Sequence, residues 1–438
     1  MDGSNPKLNL TENTIPKVLK LFSPNGIAKA CIGKWHVTAS GPVGYSYPNI
    51  LGFDHYEGNL AGGLGASITG YSNWTKITNG VSSTSTNYAT TEVVNNSIAY
   101  LSSLEATNPT KPFYLQMAFN APHTPYHLPP TNLLTNNTLS GTAADVAANP
   151  KAYFQAMAEA MDTEIGRFFD YLISSGKWDN TDIIFIGDNG NENSVAQTSP
   201  SKGTIYQGGV SVPFIISGPD IINPNRTSNA LVNSTDLFAT ILELFGDTNW
   251  QTQIPTTIVD SKSLLPIILN TQTTARPWAF TELFKTTPSA NDGKAIRNDN
   301  YKLMKFANGN ERFFNLITNP SETTNLLTSI MTEIDRSNYN YLCSQMANLV
   351  GTAISCSALA TDSFLKNSEE IYVVKNPFQS NIVLSTTANE DSFELYSISG
   401  NKIFEGKNIS NYDFSYLSNG IYFVKIATQN KVFKVLKE

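Results

Sequence analysis

Residues 181–190 read TDIIFIGDNG, an apolar run that stops abruptly at Asp188, Asn189 and Gly190. A run this short, bounded by turn residues, is the pattern of a strand buried in a parallel α/β sheet. Its end places two oxygen donors where the chain leaves the sheet, and hard divalent cations are bound by such oxygens. The next loop brings Lys202-Gly203 and then Gly208-Gly209-Val210-Ser211-Val212-Pro213. A cation site beside a lysine suits a tetrahedral oxyanion. An isolated Asp-Asn-Gly is ordinarily a plain turn, so the tripeptide needs supporting segments.

Two are present. Residues 28–32 run into Gly33-Lys34-Trp35-His36, and residues 113–120 run into Ala121-Pro122-His123-Thr124-Pro125. Each delivers ionisable side chains just past an apolar run, and in open α/β sheets that edge is where ligands bind. Around them, residues 14–21 have helical spacing of Ile15, Val18 and Leu19, continued by Phe22. Residues 153–173 repeat Phe154, Met157, Met161, Ile165, Phe168 and Leu172 at steps of three and four, a long helix with one buried stripe. Residues 212–217 read as a second buried parallel strand, residues 234–245 as a helix capped by Ser234, and the Gly/Ser/Asn-rich residues 59–80 as loop. The expected class is α/β, a mixed, mostly parallel sheet flanked by helices over residues 1–276.

After Pro277 short alternating segments at 279–282, 294–297, 301–306 and 312–316 predict a small antiparallel sheet, followed by a helix over 328–349 and together forming a subdomain to residue 350. Residues 351–368, rich in Ser, Ala and Thr, read as a linker. From 369 to 438 short strands and turns such as Ser399-Gly400-Asn401 and Asn419-Gly420 predict a small β-sandwich.

Composition narrows the function. The chain has 438 residues, a net charge of −7 and 15% charged residues, with no Lys/Arg block, which argues against nucleic acid as a partner. No apolar run approaches the ~20 residues of a membrane span. Cys31 lies in an apolar run and reads as a small buried residue. Cys343 and Cys356 are the two that could pair in an oxidising compartment. The N-terminus, MDGSNPKLNL, is polar and has no signal-peptide character.

AKACIGKWH, KPFYLQMAFNAPHTP, YFQAMAEAMDTEIGRFFDYL, NTDIIFIGDNG and KGTIYQGGVSVPFIISGP occur in one order, and together they resemble the sulfatase family of the alkaline phosphatase superfamily. RNDNYKLMKFANGNERFFNLITNPSETTNLL resembles that family's smaller C-terminal subdomain. The tail, with KNPFQSNIVLS, FELYSISGNKIFEG and LSNGIYFVKI, resembles the sorting domain of the type IX secretion system. The resemblance implies an arylsulfatase-like sulfuric ester hydrolase, acting on a sulfated carbohydrate or another sulfate ester. It also implies a partner in the type IX machinery, and a secreted or cell-surface location in a bacterium of the Bacteroidetes type. Asp188 and Asn189 would contribute to a Ca²⁺ site, of which this is half. Lys34 and Lys202 would be point charges on sulfate oxygens, His36 would orient or deprotonate the nucleophile, and His123 would contact sulfate and assist the leaving oxygen. Asp54 and His55 fall where the family often builds a substrate wall, while His127 matches nothing and reads as structural.

The sequence departs from the family at one central point. The nucleophile, a formylglycine made from the first residue of Cys/Ser-x-Pro-x-Arg, has no counterpart around any proline of this chain; Pro224 has Arg226 but Ile222 in the nucleophile position. No Asp-Asp pair supplies the other half of the metal site. The expectation is a chain that starts inside the fold, past the nucleophile segment, and does not turn over arylsulfates. The alternatives are a non-catalytic surface glycan-binding relative, or a phosphodiesterase or phosphonate hydrolase of the same superfamily.

Overall fold

The computed structural model describes residues 7–38, 44–135, 138–284, 289–290, 292–351, 354, 356, 373–384, 392–426 and 431–438. They fall into two compact units, Met1–Ile354 and Ser355–Glu438. Most of the segment expected to be a linker, 351–368, lies outside the described residues.

The first unit is built on a mixed five-stranded sheet. Its strands are β1 (Ala28–Lys34), β2 (His55–Asn59), β3 (Trp74–Thr78), β4 (Val81–Ser85) and β5 (Phe113–Ala118), in the order β4-β3-β2-β1-β5. The interior strand β1 pairs in parallel with β2 and β5, and β3 is antiparallel to β2 and β4. β1 is almost wholly buried, so its run of small and apolar residues is what admits neighbours on both edges and both faces. The helix Ala89–Thr107 packs with Pro150–Ser174 through Val94, Leu101, Phe168 and Leu172, against Phe113, Leu115 and Met117 of β5. The helix Ile15–Phe22, capped by the Thr14 side chain, packs Val18 and Leu19 on Ala239, Leu242 and Trp250.

Several sequence expectations need correction. The segment 59–80 is not all loop, because Trp74–Thr78, with Trp74 and Ile77 buried, forms β3, and Asn79-Gly80 turns it into β4. Both turn residues have positive φ, 46° and 87°, as a tight hairpin requires. The runs expected to be parallel form β6 (Ile183–Ile186) and β7 (Phe214–Ser217), an antiparallel pair. Phe185 is 38% and Ile215 59% exposed, so one face of this ribbon is open; a four-residue apolar run reads alike in either pairing. Ser234 is not the cap of its helix, which spans Asp236–Leu244. The buried Asp236 carboxylate organises that end instead, accepting the Asn233 amide at 2.8 Å and the Lys262 amide at 2.9 Å and pairing with Arg276.

An antiparallel sheet completes the unit, with β8 (Ala279–Leu283), β9 (Gly293–Arg297), β10 (Tyr301–Phe306) and β11 (Glu311–Asn315) in the order β11-β10-β9-β8. The helix expected at 328–349 is Glu333–Val350. It starts late because Thr332 and Asp335 form a reciprocal capping box. The second unit is a four-stranded antiparallel sheet of β12 (Ser392–Ser397), β13 (Lys402–Lys407), β14 (Gly420–Ile426) and β15 (Lys431–Lys437). Its core gathers Phe393, Leu395, Val424 and Val435 with Phe378, Ile382, Ile409 and Phe414 from outside the strands. Cys343 and Cys356 are disulfide-bonded, and Cys31 is free and buried, its thiol pushed up to about 12 by burial.

Candidate active site

Lys34 is the last residue of β1, and His36 lies just beyond it. Asp188 and Asn189 follow β6, and Lys202 stands in the loop before the short helix Gln207–Val210. His123 follows β5. Lys34 Nζ lies 3.4 Å from Asp188 Oδ2, with the lysine 17% and the aspartate 71% exposed. Lys202 Nζ lies 3.0 Å from Glu192 Oε1. Backbone bonds knit the Asp188 turn to the Lys202 loop: the Gly190 amide donates to Gly209 O at 2.9 Å and the Lys202 amide to Asn191 O at 3.1 Å.

The two histidines sense this charge. Partial burial, then the charges of Lys34, His123 and Lys202, hold the His36 imidazole below its ordinary value, with Asp188 opposing. Burial also lowers His123, aided by Lys202 and Lys34 and opposed by its bond to Thr124 O and by Glu192. Both rings are therefore neutral at pH 7. Lys34, His36, His123, Asp188 and Lys202, drawn from separate segments, thus act on one another electrostatically.

Each ring is placed by specific contacts. His36 has φ 56° and donates its amide to Leu60 O at 3.2 Å. A Cβ on Gly62 would fall 2.4 Å from His36 Cε1, so any larger residue there would have to displace the ring. His123 Nδ1 faces Thr124 O at 2.8 Å, and Tyr71 donates its hydroxyl to His123 O at 2.9 Å. His127 is buried beneath, Nδ1 2.8 Å from Pro125 O and Nε2 3.2 Å from the Tyr88 hydroxyl.

Asp54 and His55 do not join the group. The β1–β2 register sets Ala30 opposite His55 and Lys34 opposite Asn59, which puts His55 about 13 Å along the sheet from Lys34 at ~3.3 Å per residue. Asp54 instead pairs with Lys29 at 2.8 Å. Glu192, Gly62 and Tyr71 are contributors that the sequence reading passed over; only the run Leu60-Ala61-Gly62-Gly63-Leu64-Gly65 carried a signal, a loop free to approach other groups closely.

The donor set does not by itself make a Ca²⁺ centre. Asp188 and Asn189 offer two side chains toward the six to eight oxygens that Ca²⁺ takes. Among the described residues no cluster of three His, Cys, Asp or Glu could hold a metal. What the residues can do is neutralise an anion: two ammonium groups, each held by one partly exposed carboxylate, beside two uncharged imidazoles able to take or give a proton.

Comparison with known proteins gives the family. Residues 2–247 match the sulfatase family, residues 201–348 the C-terminal region of N-sulphoglucosamine sulphohydrolase, and residues 375–437 the C-terminal sorting domain of a secretion system. The first match takes in more than half of the chain, which belongs to the sulfatase family, and its tail is a type IX sorting domain. Similar proteins include the extracellular sulfatase SULF-1 homolog of Drosophila melanogaster, 28% identical over 49% of this chain and 22% of the fly protein. An arylsulfatase of Clostridium perfringens is 26% identical over 73% of this chain and 74% of that one. The matched part spans between 22% and 33% of the first three curated relatives. A solved structure of BT4656 in complex with its substrate D-glucosamine-2-N,6-O-disulfate superposes with a TM-score of 0.61 at 21% identity, over 79% of this chain and 84% of that one. At that identity the likeness is one of fold. Among the described residues no helix is long and apolar enough to cross a membrane.

Proposed function

We propose that this chain carries the sulfate-ester site of an exported sulfuric ester hydrolase that acts on a sulfated carbohydrate. The observation that carries the proposal is the gathering of Lys34 and His36 after β1, His123 after β5 and Lys202 in the loop after β6, with both lysines paired to partly exposed carboxylates. Lys34 and Lys202 exchange Asp188 and Glu192 for sulfuryl oxygens. The exchange is cheap, because exposed ion pairs are worth only about 0–1 kcal/mol. Where a nucleophile is present, a neutral His36 would take its proton, and His123, once it had gained a proton, would pass one to the leaving alcohol. BT4656, whose substrate is a disulfated sugar, supports the carbohydrate assignment by analogy of fold, and the type IX tail supports export.

A formylglycine would supply the attack on sulfur, and this sequence holds no Cys/Ser-x-Pro-x-Arg to provide it. The 438 residues therefore bind sulfate esters without turning them over. The surface glycan-binding alternative draws on that same fact. Calorimetric titration of the full chain with a sulfated oligosaccharide, with assay of released inorganic sulfate, tests the proposal. Binding without release is expected. Sustained release would overturn the claim of no turnover, and no binding would overturn the site.

A further inference from the structure

The loop that presents Lys202 is anchored from behind by a buried ion pair. Gln207, the first residue of the helix Gln207–Val210, donates its amide to Glu322 Oε2 at 2.6 Å. Its side-chain Oε1 accepts from Lys302 Nζ at 3.3 Å. Lys302 Nζ lies 2.8 Å from Glu322 Oε1, as an ion pair rather than an aligned hydrogen bond, and both side chains are 2% exposed. Three polar groups thus close a triangle between the loop, β10 and the turn after β11. Glu322 reaches it with φ 54°, a conformation uncommon for a residue with a side chain.

The surroundings make this an anchor. Ile205 and Tyr206 are buried against Ala295, Met304 and Phe314 of the antiparallel sheet, and the Arg312 guanidinium lies 5.7 Å from the centre of the Tyr206 ring. Toward the site, the same segment binds the Asp188 turn through Gly209 and Lys202, and Ser201 Oγ donates to Asn193 Oδ1 at 2.6 Å. Burial pushes the Lys302 ammonium down to about 8, with Glu322 pulling the other way. A desolvated ion pair is a poor source of net stability. It does offer one donor and one acceptor in fixed directions, and Gln207 is bound by both.

We propose that Glu322 and Lys302 are positioning residues, an internal clamp that fixes Gln207 and thereby the placement of Lys202 at the anion end of the sheet. The part concerning Lys202 rests on the sulfate-site reading above; the clamp on the loop does not.

The test uses the full chain and two measurements. Hydrogen–deuterium exchange is followed in peptides covering 201–210, with the distant helix Ala89–Thr107 as control, and inorganic sulfate affinity is measured by calorimetry. In Glu322→Ala, exchange at 201–210 should quicken at least tenfold more than any change in the control helix, and sulfate affinity should fall at least tenfold. In a Lys202→Ala background the same substitution should change affinity less than twofold, because the lysine it places is gone. Gln207→Ala, which keeps the ion pair and removes one of the loop's two links to it, should show the same pattern more weakly, and serves if Glu322→Ala does not fold. Exchange that stays unchanged at 201–210, or rises equally in the control helix, would overturn the clamp. Full additivity with Lys202→Ala would overturn the link to Lys202. If the unsubstituted chain binds no sulfate, the sulfate reading of Lys202 fails, and the exchange result alone decides the clamp.

Discussion

Lysine is used in two opposite ways within the first unit. Lys302 is sealed against Glu322 away from water, and Lys34 faces Asp188 across 3.4 Å with that carboxylate largely in solvent. A buried charge cannot be left alone, and a half-solvated one can change partners at little cost. The first kind of pair fixes geometry, and the second holds charge in reserve for a ligand. The fold places them at the two ends of one loop: the Lys202–Glu192 pair, of the second kind, is only five residues from the glutamine bound by the first.

Removing one partner on each side tests that contrast. Lys302→Ala should cost about 3–5 kcal/mol of unfolding free energy, the usual penalty for an orphaned buried charge, read as a drop in the urea midpoint. Lys34→Ala should cost less than ~1 kcal/mol on the same measurement. Equal losses would erase the distinction. For sulfate affinity the order inverts among site residues. Lys34→Ala should weaken binding by roughly 1.5–3 kcal/mol, the worth of a hydrogen bond to a charged group, with the circular dichroism spectrum unchanged.

Gly62→Ala is a subtler probe, because the added methyl meets the His36 ring. It should lower sulfate affinity by about 1 kcal/mol, the scale of a typical net hydrogen bond, at little expense to the fold. An unchanged affinity would mean that the ring moves freely. The smallest effect is the pH dependence. Because the fold holds His36 and His123 below their ordinary values, the unfolded chain binds protons first as pH falls. Stability contributed by the neutral rings is then complete above about 6.5 and is lost as pH drops through 6.5 toward the lowered folded values. Sulfate affinity should move the other way over the lower part of that window, as the rings gain charge. His36→Gln should flatten both slopes, as measured by urea titration and calorimetry at pH 7.5 and 5.5.

Much of the candidate site was legible because its residues stand at abrupt ends of apolar runs. Lys34 and His36 close one, Asp188 another, and His123 follows a third. The small antiparallel sheet was legible for a similar reason, since alternation at 279–316 survives any packing. The helix Ala89–Thr107 was not, because Thr90, Glu92 and Ser97 occupy buried positions on it and blur the apolar stripe. Strand direction in β6 and β7 was hidden because pairing is not written into a four-residue run. Glu192 and Glu322 were invisible for a deeper reason. Their partners lie 10 and 20 residues away along the chain, and no local pattern announces an ion pair formed only after folding.

The edge position of β5 has a practical consequence. Among the described residues it pairs only with β1, and β6 only with β7. The outer rim of Phe113-Tyr114-Leu115-Gln116-Met117-Ala118 thus has no strand partner among the described residues, and an unpartnered strand edge is a template for sheet growth between molecules. Concentration rather than heat should then limit the purified chain, with light scattering rising at protein levels where the unfolding midpoint has not moved.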